Sequence, residues 1–141
     1  MRTSKNKYYL DIASEVAKRS TCLRRQYGAV IVKNDEIIAT GYNGAARGEK
    51  NCCDTYTECP RANKPHNSGD YSDCPAVHAE MNAITSAARK DMIGATLYLS
   101  GWENGERIKY ATPCPICSRL IKNAGIDRVI GSEDDSNFKS I

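Results

Sequence analysis

The chain has 141 residues, of which 40% are hydrophobic and 26% charged, as expected for one ordinary globular domain. It contains no run of 18 apolar residues and no apolar stretch near Met1–Lys7, which argues against a membrane span and a secretory signal. The net charge of +3 is too small to indicate nucleic-acid binding by itself. We therefore expect a cytoplasmic protein without a membrane or nucleic-acid partner.

The first predicted elements are a helix and a β-hairpin. Small and apolar residues recur at helical spacing between positions 4 and 20, and Ser4 is a suitable N-cap. Residues 28–33 form a short apolar run rich in β-branched side chains, and residues 36–40 form a second one. Asn34-Asp35 between them predicts the turn of the hairpin.

The next segment, residues 43–77, has little periodicity and contains four of the seven cysteines. A structureless stretch of this length inside a compact domain needs something to hold it in place. A reducing cytosol disfavours disulfides, and seven is an odd number, so metal ligation is the favoured interpretation.

Helical and strand patterns alternate after this segment. The predicted elements are a helix over 78–90, with Gly94 ending that segment, a strand over 95–100, a helix over 114–124 that stops at Gly125, and a strand over 126–131. Residues 101–111 predict a loop or small hairpin with a turn at Asn104-Gly105. The tail from Ser132 is polar, with only Phe138 and Ile141 available to pack. This order predicts an α/β sandwich whose first two strands are antiparallel and whose later strands are parallel.

Two short motifs begin the two later helices, and their residues are suitable for zinc. Catalytic zinc sites combine three nitrogen or sulfur ligands with one open position. His78, Cys114 and Cys117 would provide such a set, and helix N-termini stabilise the thiolate form of the cysteines. Pro115 suits the first position of its helix.

Glu80 lies two residues after the histidine, on the first turn of the helix, where it can face a metal-activated water and transfer its protons. A lone Cys-x-x-Cys is more often a redox pair or half of a structural zinc site, and a lone His-Ala-Glu usually has no role. The combination of H-x-E with P-C-x-x-C is typical of zinc-dependent nucleobase deaminases.

Longer stretches extend this pattern. Around the two catalytic motifs, His78–Ile84 resembles HAExNAI, and Pro113–Cys117 with Leu120-Ile121 and Ala124–Ile126 resembles PCxxC…I…AGI. Near the N-terminus, Gly28–Val32 resembles VGAVIV, Gly41–Gly44 resembles GYNG, and Ser20–Cys22 with Arg24-Arg25 resembles the stretch that precedes VGAVIV. On these residues the sequence resembles the cytidine and deoxycytidylate deaminase superfamily, and within it the dCMP deaminases of bacterial and phage type. The resemblance covers residues 5–131. It departs at Tyr27, where Val is usual, at Ala46, where Pro is common, and at 101–111, which intervenes before PCxxC.

The resemblance implies a three-layer α/β cytidine deaminase fold with a central mixed sheet of four to five strands flanked by helices. It implies one domain, 1–141, with a cysteine-rich, zinc-stapled insertion at about 44–77. The implied reaction is hydrolysis of dCMP to dUMP and ammonia, with Glu80 protonating N3 and then the leaving amine. Asn43 would bind the deoxyribose, and Arg24 or Arg25, beside Ser20, would bind the phosphate.

The resemblance also implies regulation and assembly. Many dCMP deaminases are hexamers that dCTP activates and dTTP inhibits, with Mg²⁺ on the triphosphate. The loop of Gly41, Tyr42, Asn43 and Gly44 would contribute to the effector site.

A second zinc would account for four further cysteines. Cys22, Cys53, Cys59 and Cys74 would make a closed Cys₄ site, which is structural because it has no open position. Bacterial-type relatives carry a comparable second zinc, so two ions per chain are expected. Cys52 could replace Cys53, which is favoured because Cys-Asp matches the family, and His66 could replace a cysteine. Free buried thiols are the alternative.

Two other functions remain open at this stage. The chain could deaminate another cytosine nucleoside or nucleotide, a tRNA base or a pterin-like base. It could also be a non-catalytic zinc module that uses both metals to bind a partner. Activity on each class of substrate distinguishes these possibilities.

Overall fold

The structure of the protein is a computed structural model that describes residues 2–66 and 74–134. In chain order its elements are α1 (Lys5–Ala17), β1 (Arg25–Lys33), β2 (Glu36–Tyr42), β3 (Gly44–Ala45), α2 (Cys52–Thr55), β4 (Ala76–Val77), α3 (Ala79–Thr85), α4 (Arg89–Met92), β5 (Thr96–Glu103), β6 (Glu106–Arg107), α5 (Pro115–Asn123) and β7 (Arg128–Ile130). The expected packing of Phe138 and Ile141 lies outside the described residues. Within those residues, every helix is too short or too polar to span a bilayer.

Five strands form one mixed sheet in the order β2-β1-β5-β6, with β7 also paired to β5. Strand β1 is antiparallel to both β2 and β5, and β7 is parallel to β5. The antiparallel first pair and the parallel pair joined through α5 confirm the sequence-based expectation of a mixed sheet.

The central strand β1 is buried on both faces, which divides the core into two parts. Ala29 and Ile31 pack with residues of α3 and α5 in the larger cluster. Val30 and Val32 pack with residues of α1 on the opposite face. Because strand side chains alternate between faces, this division places α1 on one side of the sheet and the later helices on the other. The result is the expected three-layer arrangement.

Local signals near the first elements agree with the sequence. The Ser4 hydroxyl accepts a hydrogen bond from the amide of Lys7 at 3.2 Å, so it caps α1 as predicted. The helix ends at Ala17, three residues before the predicted boundary. Asn34 and Asp35 have φ angles of 52° and 63°, the left-handed conformation of a type I′ hairpin turn.

The predicted helix over 78–90 is instead two short helices, α3 and α4. The hydroxyls of Thr85 and Ser86 both donate to the carbonyl of Asn82, at 3.2 Å and 2.8 Å. Side chains that bond to nearby backbone compete with the helical hydrogen-bond ladder. The chain leaves helical geometry after Ser86, and Ala88, with ψ of 141°, starts α4.

The cysteine-rich insertion is closed at its base by backbone pairing. Gly44 pairs with Val77 and Ala45 with Ala76, which joins β3 and β4 into a small separate sheet. The amide of Cys53 donates to the carbonyl of Thr21 at 3.2 Å, which ties the insertion to the segment after α1. The two ends of this long loop are therefore held together, and the second end leads directly into His78.

Candidate metal centre and its cavity

The two motifs meet at the N-termini of α3 and α5. His78 occupies the N-cap position of α3, and Cys114 that of α5, with Pro115 at the first helical position as predicted. The Cys114 sulfur accepts a hydrogen bond from the amide of Cys117 at 3.4 Å. Two helix N-termini thus direct their partial positive charges at the same point, which favours anionic sulfur there.

The side chains of His78, Cys114 and Cys117 fit one zinc ion. Nδ1 of His78 lies 3.5 Å from the Cys114 sulfur and 3.3 Å from the Cys117 sulfur. All three ligand atoms lie within 4.8 Å of one another. Zinc–sulfur and zinc–nitrogen bonds of about 2.3 Å and 2.0 Å in a tetrahedron separate N and S by about 3.5 Å. The observed distances match that edge, and the part of the chain that the structure describes contains no second trio of this kind.

Hydrogen bonds within this cluster shift the pKa values of its two thiols and its imidazole. Hydrogen bonds from Cys117 and His78 lower the pKa of Cys114 to about 3, and the bond with Cys114 and burial raise the pKa of Cys117. The hydrogen bond with Cys114 raises the pKa of His78. The hydrogen bonds thus favour the anionic form of Cys114, which is the form in which cysteine binds a metal.

Glu80 lies in the first turn of α3 with only 4% of its surface exposed. Burial raises the pKa of its carboxyl group, and a hydrogen bond with Cys117 places it beside the cluster. A carboxyl group with a raised pKa that is not needed as a fourth ligand is suited to both accept and donate protons.

A cavity opens directly in front of this cluster. It is lined by residues of β1, the insertion, α3 and the loop before α5: Cys22, Leu23, Arg24, Arg25, Tyr27, Asn43, Cys52, Cys59, Pro60, Arg61, His66, Cys74, Ala76, His78, Ala79, Glu80, Leu99, Thr112 and Cys114. Two of the candidate metal ligands, His78 and Cys114, therefore share one concave space with the acid–base residue and the two arginines predicted to contact phosphate, as substrate sites usually do.

Asn43, the predicted sugar ligand, lines this cavity, and its amide is bonded to β1. Its Oδ1 accepts from the amide of Tyr27 at 2.8 Å, and its Nδ2 donates to the carbonyl of Arg25 at 2.9 Å. Each end of the amide retains one further hydrogen-bonding position. Asn43 is thus fixed at the cavity wall, and its amide has one donor and one acceptor position left for a further hydrogen bond.

The basic residues expected at the phosphate have defined partners. Arg24 donates to the carbonyl of Arg61 at 3.0 Å and so braces the insertion. Arg25 donates through Nε to Glu103 at 3.0 Å and through Nη1 to the Tyr27 hydroxyl at 3.2 Å. Ser20 is outside the set of cavity-lining residues, and its hydroxyl accepts from the amide of Cys22 at 3.1 Å.

Three cysteines of the predicted second zinc site, Cys22, Cys59 and Cys74, line the cavity together with Cys52, the predicted alternative to Cys53. Burial raises the pKa of Cys22 to about 12, and the thiols of Cys52, Cys74 and Cys59 raise it further. Cys52 is 5% exposed and lines the cavity, whereas the side chain of Cys53 is exposed and contacts Asp54 at 4.0 Å. Of the two alternatives, Cys52 is therefore the one that lies near the other three.

The loop predicted to contact an effector is mostly packed inside. Gly41, Asn43 and Gly44 are buried, and Tyr42 is 38% exposed. A Cβ at Gly41 would lie 2.4 Å from the amide nitrogen of Ala83, so this glycine lets α3 approach β2 closely. The loop thus positions the site helix.

Sequence patterns assign no role to three residues in or next to the cavity: Tyr27 and Arg61, which line it, and Glu103, which contacts Arg25. In sequence, Tyr27 is only a departure from the usual Val, and Glu103 falls in the segment 101–111 that intervenes before PCxxC. The alternation of β1 and β5 would indicate that Tyr27 and Glu103 share a face, but only once the pairing of the two strands is known. Arg61, buried at 4% exposure beside Pro60, gave no signal in sequence.

Comparison with known proteins agrees with this geometry. The family model described as the cytidine and deoxycytidylate deaminase zinc-binding region matches residues 3–133. The deoxycytidylate deaminase of Mycobacterium phage D29 is 42% identical over 131 residues, which cover 89% of this chain and 91% of that protein. The Schizosaccharomyces pombe deoxycytidylate deaminase is 39% identical over 92% of this chain, which spans 37% of that longer protein.

A solved structure has the same fold. The dCMP deaminase of cyanophage S-TIM5, in complex with dCMP and dUMP, superposes with a TM-score of 0.65 at 30% identity, covering 92% of this chain and 81% of that chain. The match over nearly the whole length includes the His78–Glu80 and Cys114–Cys117 motifs. The chain therefore belongs to the cytidine and deoxycytidylate deaminase family.

Proposed function

We propose that this protein is a zinc-dependent deaminase that hydrolyses dCMP to dUMP and ammonia. The observation that supports this most directly is the His78, Cys114 and Cys117 cluster, which has zinc-like ligand distances and the buried Glu80 beside it in one cavity. Relatives named deoxycytidylate deaminase, and a similar structure bound to dCMP and dUMP, support the choice of substrate.

The roles of the residues follow from their chemistry. His78, Cys114 and Cys117 would hold the ion, which when bound supplies an activated water at neutral pH. Glu80 would accept a proton from that water and deliver protons to N3 of the cytosine and to the leaving amine. Burial keeps the pKa of Glu80 raised, which suits a group that must be protonated and deprotonated in one cycle.

Residues at the opposite wall would hold the rest of the nucleotide. Asn43, fixed by two hydrogen bonds to β1, has one donor and one acceptor position left for a sugar hydroxyl. Arg25 is half-buried in the cavity wall and offers the remaining guanidinium donors to a phosphate. Arg24, which bonds the insertion, would add positive charge nearby, and Ser20 would act through Cys22 rather than on the substrate.

A structural zinc is part of the proposal. Cys22, Cys52, Cys59 and Cys74 would hold it, with Cys53 and His66 as alternatives. Cys52, Cys59 and Cys74 each raise the pKa of the Cys22 thiol, and all four line the same cavity, which supports this set. Among the described residues, no three of these sulfurs lie within the 4.8 Å that joins the His78 cluster, so an ion would have to draw them together. Such a site would fix the insertion four residues before His78 and so hold the start of α3.

Regulation and assembly remain predictions from the family resemblance. They comprise a hexamer, activation by dCTP and inhibition by dTTP with Mg²⁺, and an effector site at Gly41–Gly44. Tyr42 is the exposed residue of this loop and would be its contact with an effector. Initial rates with each triphosphate, with and without Mg²⁺, test the regulation, and sedimentation tests the hexamer.

The test of the main proposal is turnover on a panel of dCMP, deoxycytidine, cytosine and tRNA. We expect ammonia release from dCMP above all other compounds. Glu80→Gln should retain the bound zinc and lose about 10²–10⁴-fold in kcat, because the acid–base group is removed without touching a ligand. Glu106→Gln, an exposed glutamate, is the matched control. Turnover of deoxycytidine without dCMP would refute the substrate, and inertness on all four would favour a zinc module.

A further inference from the structure

We infer that Glu103 is a positioning residue for the substrate phosphate: it fixes the guanidinium of Arg25 in the cavity wall. This inference rests on the proposed function. Glu103 lies on the β5–β6 hairpin, which is outside the catalytic motifs. Its basis is a set of contacts that links the hairpin to the cavity through Arg25 and Tyr27.

The Arg25 side chain is held at two of its nitrogens. Nε donates to Glu103 at 3.0 Å, and Nη1 donates to the Tyr27 hydroxyl at 3.2 Å. The side chains of Arg25 and Glu103 are 24% and 38% exposed. An arginine has five N–H donors, so these two bonds leave others for an anion in the cavity. Glu103 thus orients the guanidinium of Arg25 and leaves some of its N–H donors available.

The pleat of β5 explains why Glu103 reaches Arg25. Leu97 and Leu99 belong to the core cluster on the α3 side, and Gly101 and Glu103 continue that alternation. Arg25 is the direct register partner of Glu103 across the antiparallel β1–β5 pair. Opposite charges at partnered positions on one face contact each other across the pair.

The hairpin itself is anchored from the other face of the sheet. Trp102 Nε1 donates to the carbonyl of Ser14 at 2.8 Å, and Arg107 Nη1 donates to Asp11 at 2.8 Å. Asn104 and Gly105, with φ of 54° and 79°, close the two strands in a tight turn. Glu103 is therefore presented by a strand that α1 holds in place.

Tyr27, the second partner of Arg25, is also fixed in position. It is the register partner of Gly101, where an added Cβ would lie 2.7 Å from the Tyr27 ring atom Cδ1. Only a glycine leaves space for the ring to lie against the strand. The Tyr27 hydroxyl also lies 3.5 Å from Nε2 of His66, on the same wall.

Fixing Arg25 in advance removes an ordering cost from substrate binding. A long side chain that must be immobilised on binding loses affinity, and the loss is avoided where the side chain is already ordered. The effect is confined to substrates with a phosphate, because a nucleoside has no group for Arg25 to bind. Glu103 would therefore act on KM for the nucleotide and hardly on kcat.

The experiment compares Glu103→Ala and Glu103→Gln with wild type in the zinc-loaded protein, using dCMP and deoxycytidine as substrates and dUMP for calorimetry. Glu103→Ala should raise KM for dCMP and Kd for dUMP by about three- to tenfold, with kcat and the KM for deoxycytidine unchanged. Glu103→Gln keeps an acceptor for Nε and should stay close to wild type. Glu106→Ala, on the same hairpin, should leave both constants unchanged.

A double-mutant cycle with Arg25→Ala shows whether the effect passes through Arg25. In the Arg25→Ala background, Glu103→Ala should add no further loss. A full additional loss there, an equal rise in KM for deoxycytidine, or a lower KM for dCMP in Glu103→Ala would each overturn the inference. Tyr27→Phe, which removes the second anchor with little change in volume, should raise KM for dCMP in the same way and serves if Glu103→Ala does not fold.

The two proposals fail separately in this design. A wild-type protein that binds dUMP and does not turn over dCMP refutes the proposed activity alone. A wild-type protein that turns over dCMP, with Glu103→Ala unchanged in KM and in Kd for dUMP, refutes the role of Glu103 alone. Absence of both turnover and dUMP binding refutes both.

Discussion

At the scale of single residues, the cysteines show how similar side chains receive different environments. Cys114 and Cys117 are buried at the N-terminus of α5, where hydrogen bonds from Cys117 and His78 lower the pKa of Cys114. Cys52 and Cys53 are neighbours in sequence, yet one is buried beside three other thiols and the other is exposed. Adjacent residues of a short helix point about 100° apart, so only one of the two can face the cavity.

This contrast predicts which cysteine the structural zinc requires. Cys52→Ser should lower the zinc content from two ions per chain to one, because Cys52 lies near Cys22, Cys59 and Cys74. Cys53→Ser is the matched control and should retain both ions. Metal analysis of the purified variants measures the outcome. The reverse result would restore Cys53 as the ligand, and one zinc in wild type would exclude the second site.

Sequence motifs predicted the cluster of His78, Glu80, Cys114 and Cys117 that the structure brings together, because each motif is local in sequence. His78 and Glu80 are separated by one residue, Cys114 and Cys117 by two, and each pair begins a helix. The choice between Cys52 and Cys53 could not be made in this way. It depends on the direction of a four-residue helix inside an aperiodic insertion, and this direction is set by tertiary contacts such as the Cys53–Thr21 backbone bond.

At the scale of elements, α3 brings His78 and Glu80 to the cavity by packing closely on β2. The contact depends on Gly41, because an added Cβ would lie 2.4 Å from Ala83 N and 2.5 Å from Ala79 O. These are backbone atoms of the helix itself and cannot move aside as a flexible side chain would. The helix that begins with a metal ligand therefore needs a strand position without a side chain.

Gly41→Ala should destabilise the protein by about 2–3 kcal/mol, because the methyl group would push α3 away from the sheet. Thr40→Ala, on the exposed face of the same strand, should stay within about 1 kcal/mol. Urea unfolding of the zinc-loaded proteins gives both values. Equal stability of Gly41→Ala and wild type would show that α3 can shift without cost.

The elements were predictable where short-range chemistry determines them. Asn34-Asp35 and Asn104-Gly105 adopt left-handed turns as expected, and Gly125, with φ of 87°, follows the end of α5. The break between α3 and α4 was missed, because apolar periodicity continues through Thr85 and Ser86 while their hydroxyls bond the backbone. Of the two alternatives predicted for 101–111, the small hairpin is the one that forms, from the end of β5 and from β6. The pairing of β5 with β1 as far as Glu103 has no signal in the sequence pattern.

At the scale of the whole molecule, the Tyr9 side chain joins α1 to the turn between β1 and β2. The Tyr9 hydroxyl donates to the Asp35 carboxylate at 2.6 Å. This bond raises the pKa of Tyr9 to about 12 and lowers the pKa of Asp35. Both shifts favour the same state, a neutral phenol and an ionised carboxylate.

The pH dependence of global stability follows from these directions. The Tyr9 contribution is present below pH 10 and is lost as pH rises toward about 12, because the folded state holds that proton more tightly. The Asp35 contribution is present above its ordinary pKa and is lost as pH falls through the lowered value. The unfolding free energy of wild type minus that of Tyr9→Phe should therefore be largest at intermediate pH and shrink at both extremes. A difference that does not vary with pH would contradict this.

The overall architecture was predictable because the order of helices and strands restricts the possible folds. The arrangement of Arg25, Tyr27 and Glu103 was not, since it combines residues 78 positions apart through the register of one strand pair. Register is a property of the assembled sheet, and single-sequence periodicity contains no direct measure of it.

The anchoring of the hairpin has a practical consequence. Trp102 is the sole tryptophan in the sequence. It directly precedes Glu103 on β5, and the Glu103 carboxylate binds Arg25 of β1. Its ring lies on the α1 side, with Lys18 Nζ 5.5 Å from the centroid, so a ligand in the cavity does not touch it. The protein thus has a built-in optical reporter whose emission comes from a single site. Any change in that emission on nucleotide binding would therefore report an effect transmitted through β5, because the base cannot quench the ring directly.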